Sequence, residues 1–308
     1  EEKMIPSRIL NRATPYLFLA PAGIVLVMAL LYPIGYLTFA SFFDWRMGTP
    51  FAKAAFSGLD NYLWILEDPN FHESFMVTLT FAISVVVLEM FIGLGLALML
   101  ERPIRGMSVF RTIFILPMMI APIVVGLIWR YMYNPQFGII NKTLKDWGFK
   151  SIPWLSSPDW ALPSVIIADI WQWTPFIFIL SLAALQSLPK SVLEASRIDG
   201  ASPLQQIFYI KIPLMMPVLI VAALLRMIDA FKVLEVIFIM TNGGPGLSTE
   251  ILSLQIYKTA FVSWELGRAA ALSNILLAIV MVITIAMFIF TKVRDARSAR
   301  IQAAAENY

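Results

Sequence analysis

Cysteine is absent from the 308 residues, and histidine occurs once, at His72. Without cysteine there is no disulfide framework and no thiolate chemistry. A single histidine with no cysteine beside it does not make a zinc site, so His72 reads as a solvated loop residue. No Gly-x4-Gly-Lys-Ser/Thr stretch occurs, which excludes a P-loop and ATP hydrolysis by this chain alone. Charge is also scarce. Asp, Glu, Lys and Arg make up 14% of the chain, against about a quarter in soluble domains. A net charge of +3 is too small to point to nucleic acid. No spacing places a nucleophile beside a base, so an intramembrane enzyme lacks a catalytic set. No internal repeat is visible, and a stand-alone secondary transporter with paired broken spans would carry one.

What is there is apolar. Hydrophobic residues are 59% of the chain and the mean hydropathy is +0.77. The class is an all-α integral membrane protein of one multi-span domain. A helical span needs about 20 mostly apolar residues. Six transmembrane helices are predicted, at 16–43, 75–100, 110–133, 162–187, 212–238 and 268–290. Lys3, Arg8 and Arg12 precede the first run, which is much longer than a signal-peptide core of about 7–15 residues. It is therefore expected to stay as the first span, and the polar residues after Lys292 are expected to prolong the sixth.

Basic residues set orientation. One side holds Lys3, Arg8 and Arg12, then Arg102, Arg105 and Arg111, then Lys190, Arg197 and Lys211, then Lys292, Arg294, Arg297 and Arg300. The other holds only Arg46, Lys53, Lys142, Lys145, Lys150 and Lys258, on longer loops. Both termini and the stretch around Glu194 are thus expected on the cytoplasmic side.

That stretch, Glu194-Ala-Ser-Arg-Ile-Asp-Gly200-Ala-Ser-Pro203, is a polar anomaly between apolar runs. Ser191 to Asp199 fits two helical turns, and Gly200 is placed to supply a left-handed C-cap. Ser202-Pro203-Leu204-Gln205 then reads as an N-cap, a proline at the first helical position and a capping-box glutamine. Small Ala195 and Ser196 would let another surface approach closely. An ordinary well-capped interfacial loop would look the same.

The pattern Glu194-Ala-Ser-x3-Gly200-x9-Ile210-x-Ile212-Pro213 resembles the EAA loop of permease subunits of binding-protein-dependent ABC importers. Ser196 and Ile212 stand where that family has alanine and leucine. Other segments resemble sugar-type permeases in the same order along residues 15–292. They are Gly58-Leu-Asp-Asn-Tyr62, Phe110-Arg111 through Leu116-Pro117, Gly126-Leu-Ile-Trp129-Arg130, Gly138-Ile-Ile-Asn141 and Ile170-Trp-Gln-Trp173-Thr-Pro175-Phe176. Asp229-Ala-Phe-Lys232, Met240-Thr-Asn-Gly-Gly-Pro245 and Ser248-Thr-Glu250 resemble the maltose and glycerol-3-phosphate type. The Gly-Gly-Pro segment resembles the first of two unlike permeases.

The resemblance implies a type I ABC importer permease fold. Its expected parts are a cytoplasmic N-terminus (1–14), a first helix (15–43), a permease domain (75–291) with coupling loop 190–213, and a cytoplasmic tail (292–308). It implies that Glu194, Ala195, Ser196, Asp199 and Gly200 contact an ATP-hydrolysing subunit. The implied partners are a second related permease, two ABC ATPase subunits and an extracytoplasmic solute-binding protein, in a bacterial cytoplasmic membrane. The chain itself would need no cofactor, since ATP and Mg would sit on the ATPase subunits. The implied cargo is a sugar or sugar derivative.

Ionisable residues within or near spans are Glu89, Asp169, Arg226, Asp229, Lys232 and Glu235. Each costs about 2.5–3.5 kcal/mol at mid-bilayer on insertion scales and needs a partner or a wet cavity. Arg226, Asp229, Lys232 and Glu235 are three apart with alternating sign, which fits a ladder of ion pairs on one helix or a polar strip on a solute path. At about 100° per residue the four cannot share one face, so Asp229 and Lys232 are expected toward the cavity. Arg226 and Lys232 would favour an anionic sugar if unpaired. Trp171, Gln172, Trp173 and Thr174 precede Pro175, which is expected to break the fourth span and open backbone acceptors to a cavity. Trp171 lies about 13 Å into that span, deeper than an interfacial belt. Asn274 is the polar candidate on the sixth span.

Overall fold

The computed structural model describes residues 7–101 and 106–305. Lys3, Arg102 and Arg105 of the expected basic side lie outside the described residues, as do the side chains of Arg8, Arg12, Arg294, Arg297 and Arg300. The helix α1 (Ser7–Leu26) passes through one wide turn at Val27–Leu31 into α2 (Tyr32–Ala40). None of the described side chains from Phe18 to Phe39 is buried. The strands β1 (Phe43–Asp44) and β2 (Ala55–Phe56) pair antiparallel, with Phe43 opposite Phe56. This short ladder departs from a purely helical chain. Then come α3 (Asp60–Glu67) and α4 (Pro69–Met99), the latter opened by Asp68, whose side chain accepts from the Asn70 amide at 3.0 Å. His72 therefore sits in the first turn of α4 and is exposed, on a helix instead of the expected loop.

The third span is not one helix. The pair α5 (Met107–Met119) and α6 (Pro122–Met132) is bent by 97°. Pro122 denies a helical conformation to the residue before it, and Ile120 and Ala121 are extended, with ψ of 135° at both. Next are α7 (Ile139–Asp146) and α8 (Pro158–Gln186). Contrary to expectation, α8 runs unbroken through Pro163 and Pro175. A buried membrane helix tolerates the lost hydrogen bond where its neighbours shield the backbone. Pro175 itself is buried.

The helix α9 (Lys190–Ile198) follows a short turn. The fifth span starts nine residues before the expected Ile212. It opens with α10 (Pro203–Gln205), continues through the wide turns Gln206–Lys211, and becomes α11 (Ile212–Ala230). It ends at Ala230, short of the expected residue 238, and α12 (Glu235–Met240) is a separate helix. Last come α13 (Leu252–Phe261) and α14 (Leu266–Ala305), which prolongs the sixth span as expected. Among the described residues, five helices are long and apolar enough to cross a membrane, or six where the bent pair counts as one span.

The chain divides into two units. The first comprises Glu1–Glu67 and Ile256–Ile275. The rings of Tyr36, Phe39, Phe43, Trp45 and Phe51 cluster there, with neighbouring centroids 5.0–6.3 Å apart. Asn61 ties the turn after α2 by donating to the carbonyls of Ser41 and Phe43, at 2.8 and 3.0 Å.

The second unit comprises Asp68–Gln255 and Leu276–Tyr308. Its centre is the contact of α4 with α8. A Cβ built on Gly93 would lie 2.8 Å from Ile177 Cβ, so only glycine lets these helices approach this closely. Phe81, Val85, Ala97, Val165, Ile177 and Phe178 are buried around that contact.

Candidate functional site

Three polar features stand out in the second unit: a buried charge cluster, a cavity beside it, and the exposed helix α9.

The cluster is built on Arg226 of α11, which is 2% exposed. Its Nε and Nη2 donate to both carboxylate oxygens of Glu89 on α4, at 2.6 and 2.8 Å. Nη2 also donates to Asp169 on α8 at 2.6 Å, and Nη1 to Asp229 at 2.7 Å. One guanidinium thus joins three helices and holds three carboxylates. Such a rigid fork suits bidentate pairing, which a lysine would not give. The expected ladder on one helix is corrected here. Only Arg226 and Asp229 share α11, and Arg226 finds its other partners 57 and 137 residues away. Arg226 is also unavailable to an anion, because carboxylates already occupy its donors. Lys232 and Glu235 lie beyond the end of α11. No glycine or proline marks that end in Phe231–Leu234. Tertiary contacts impose it: Val236 and Ile237 are buried, and the Ser253 hydroxyl donates to the Val233 carbonyl freed by the break.

The cavity, of roughly 200 Å³, is lined by Pro122, Gln172, Trp173, Asp229, Lys232, Val233, Glu235 and Val236. It therefore brings together the expected Gln172, Trp173, Asp229 and Lys232, and adds Glu235. The Trp173 ring lies 5.1 Å from the Arg226 guanidinium carbon, in a cation–π contact. Gln172 is 1% exposed; its Nε2 donates to Ile120 O at 3.1 Å, satisfying the carbonyl at the bend of the third span, while its Oε1 is buried without a partner. Trp171 and Thr174 do not line this cavity. Four consecutive helical residues cover most of a turn. Trp171 packs edge-on against Trp129, with centroids 5.9 Å apart, and the buried Thr174 hydroxyl donates to Ile170 O at 2.6 Å. Asn274 belongs to the first unit. There its amide donates to the Tyr62 hydroxyl at 3.0 Å and accepts from Thr38 at 3.2 Å.

At α9 the local chemistry follows the expectation closely. Gly200 has φ +79°, and a Cβ there would meet nothing within 4 Å, so backbone conformation alone asks for glycine. The Ala201 amide donates to Ser196 O and the Gly200 amide to Arg197 O, at 2.9 and 3.1 Å, which is a Schellman closure. Ser202 and Gln205 form the reciprocal capping box, at 3.3 and 2.8 Å. Glu194, Ala195, Asp199 and Gly200 are exposed. Ser196 is the exception. It is buried, with its hydroxyl on Leu193 O at 2.8 Å, so it faces inward and not toward a partner. Leu193 packs on the core around Leu188 and Met215. Val192 and Ile198, 41% and 87% exposed, extend the outward face.

Residues 89–300 match the model of the binding-protein-dependent transport system inner membrane component. The chain belongs to that family. Curated relatives span nearly the whole permease. It is 32% identical over 300 residues to the sulfoquinovosyl glycerol transport system permease protein of Agrobacterium fabrum, covering 96% of this chain and 97% of that one. It is 36% identical over 270 residues to the trehalose/maltose transport system permease protein of Thermococcus litoralis, covering 88% and 90%. Among solved structures, a bacterial ABC transporter involved in import of the acidic polysaccharide alginate superposes with a TM-score of 0.80 at 22% identity, over 92% of this chain and 97% of that one. That likeness gives the fold, the type I permease fold. The protein is a permease, the membrane-spanning translocation component of an ABC importer. This reading displaces the stand-alone secondary transporter.

Proposed function

We propose that this permease moves a sugar or sugar derivative inward across a bacterial cytoplasmic membrane by alternating access, driven by ATP hydrolysed on partner subunits. The observation that carries the coupling half is α9. It is a short helix between two spans, with Glu194 and Asp199 on an exposed face, closed at its C-terminus by the Gly200 turn and followed at once by the Ser202 capping box. An ATPase subunit docks on Glu194, Ala195, Asp199 and Gly200, and its motion reaches the fifth span through the capping box at Ser202. The basic bias puts this helix and both termini in the cytoplasm. Residues 190–213 form the coupling loop of a permease domain at 75–291, flanked by the first helix and by cytoplasmic ends at 1–14 and 292–308.

The cavity beside Trp173 and Asp229 lies on the solute path. An aromatic face, a carboxylate and an amide suit a polyhydroxylated solute. The sulfoquinovosyl glycerol, trehalose/maltose and sn-glycerol-3-phosphate systems of the relatives support that class. A second, related permease completes the pathway, and an extracytoplasmic binding protein delivers the solute. The chain binds no cofactor of its own.

Glu194→Lys and Gly200→Trp are expected to insert normally and to abolish ATP-driven uptake in vesicles holding the full transporter. Unimpaired uptake in both would overturn the docking assignment. Uptake that persists without any ATPase subunit and follows a proton gradient would overturn the importer reading itself.

A further inference from the structure

The cluster under the cavity has an unequal balance: one guanidinium meets three carboxylates, all within 2.8 Å. Three of the four side chains are sealed, at 2% exposure or less for Arg226, Glu89 and Asp169. The fourth, Asp229, is 47% exposed and lines the cavity. Glu89 and Asp169 between them take most of the fork. Asp229 keeps a single hydrogen bond to it, through Oδ2. Of the three carboxylates, Asp229 alone is therefore presented at the cavity wall. The same guanidinium lies against the Trp173 ring.

We propose that Arg226, Glu89 and Asp169 form a positioning clamp that holds Trp173 and Asp229 at the cavity wall, so that this wall accepts hydroxyl donors and repels anions. Neither Glu89 nor Asp169 touches the cavity, and they act only through Arg226. Their role is to occupy Arg226. With most of its fork taken by Glu89 and Asp169, Arg226 holds Asp229 by a single hydrogen bond and offers little of its own charge to the solute. Asp229 then faces the solute side as an acceptor, beside Gln172, whose buried Oε1 has no hydrogen-bond partner. Lys232 and Glu235 on the same wall offset one another, which leaves Asp229 to set the sign. Where a transported solute carries a charged group, that group is expected to face the partner permease and not this chain. The inference rests on the reading of the cavity as part of the solute path, and its test separates the two.

The absence of cysteine supplies the tool. Val233→Cys, at a neutral position of the cavity wall, is the one thiol this chain would contain in the assembled transporter. It is labelled in vesicles with a cationic and an anionic methanethiosulfonate reagent, and the ratio of the two rates reads the local potential. The clamp predicts strong preference for the cationic reagent. Adding Glu89→Gln or Asp169→Asn frees part of the fork, draws Asp229 inward, and lowers the ratio about tenfold. Glu89→Asp, which keeps the charge, restores most of it. Assembly is checked by size-exclusion chromatography. A ratio unchanged within about twofold in both variants, with assembly intact, overturns the clamp. So does failure of both variants to assemble, which would make the cluster a folding element. Absence of labelling by either reagent overturns the cavity reading, whatever the clamp does.

Discussion

The Arg226 cluster and the helix α9 are two polar places in an apolar chain, and they solve opposite problems. The cluster is buried, and its charges are met by residues from three helices. The α9 segment is mostly exposed, with Ser196 and Leu193 turned inward, and the backbone groups at its C-terminus and at the start of α10 are met by residues no more than five positions away. Inside a membrane protein, charge survives only by long-range pairing, because an unpartnered ion there has no water to fall back on. At the surface, water serves the side chains, and only the helix ends need fixing. One region therefore reports on how the bundle is assembled, and the other is free to meet a partner.

Substitutions sharpen that contrast, from the largest effect on stability to the smallest. Arg226→Leu strands Glu89 and Asp169 as buried charges and is expected to cost about 3–5 kcal/mol, read by thermal unfolding of the permease in detergent. A loss under 1 kcal/mol would mean that the cluster is not the fastener it resembles. Gly93→Ala places a methyl group against Ile177 and the backbone of Phe178 and is expected to cost about 1–3 kcal/mol in the same assay. Gly200→Ala forces a Cβ into a left-handed residue and is expected to cost about 1–2 kcal/mol, with no clash to relieve. Ser202→Ala removes the cap and is expected to cost about 1 kcal/mol. Glu194→Lys should change stability by no more than about 0.5 kcal/mol while abolishing ATP-driven uptake. If Glu194→Lys unfolded the permease instead, α9 would be a packing element like the cluster and the contrast would collapse.

The legibility of the sequence divides along the same line. Gly200, Ser202, Pro203 and Gln205 announced the end of one helix and the start of the next, since capping depends on neighbours in the chain. The bend of the third span had a readable mark in Pro122, whose restriction on Ala121 is local too, but the apolar run disguised it as one helix. Pro175 misled in the other direction. Proline lowers helical stability, and burial against α4 outweighs it. The spacing of Arg226, Asp229, Lys232 and Glu235 suggested a single ladder because nothing in Phe231–Leu234 announces that α11 stops.

By itself, the sequence determined the membrane class, the number of spans, the outward helix with its caps, and the resemblance that led to an importer permease. All of these rest on hydrophobic length and on chemistry between near neighbours. Only the tertiary structure decided that Ser196 turns inward and that Glu89 and Asp169 belong to one site with Arg226. It also decided that Lys232 and Glu235 share a cavity rather than a helix face. The reason is that a buried charge is partnered by whatever the packing of helices brings within about 3 Å, and no periodicity in the chain encodes which helix that will be.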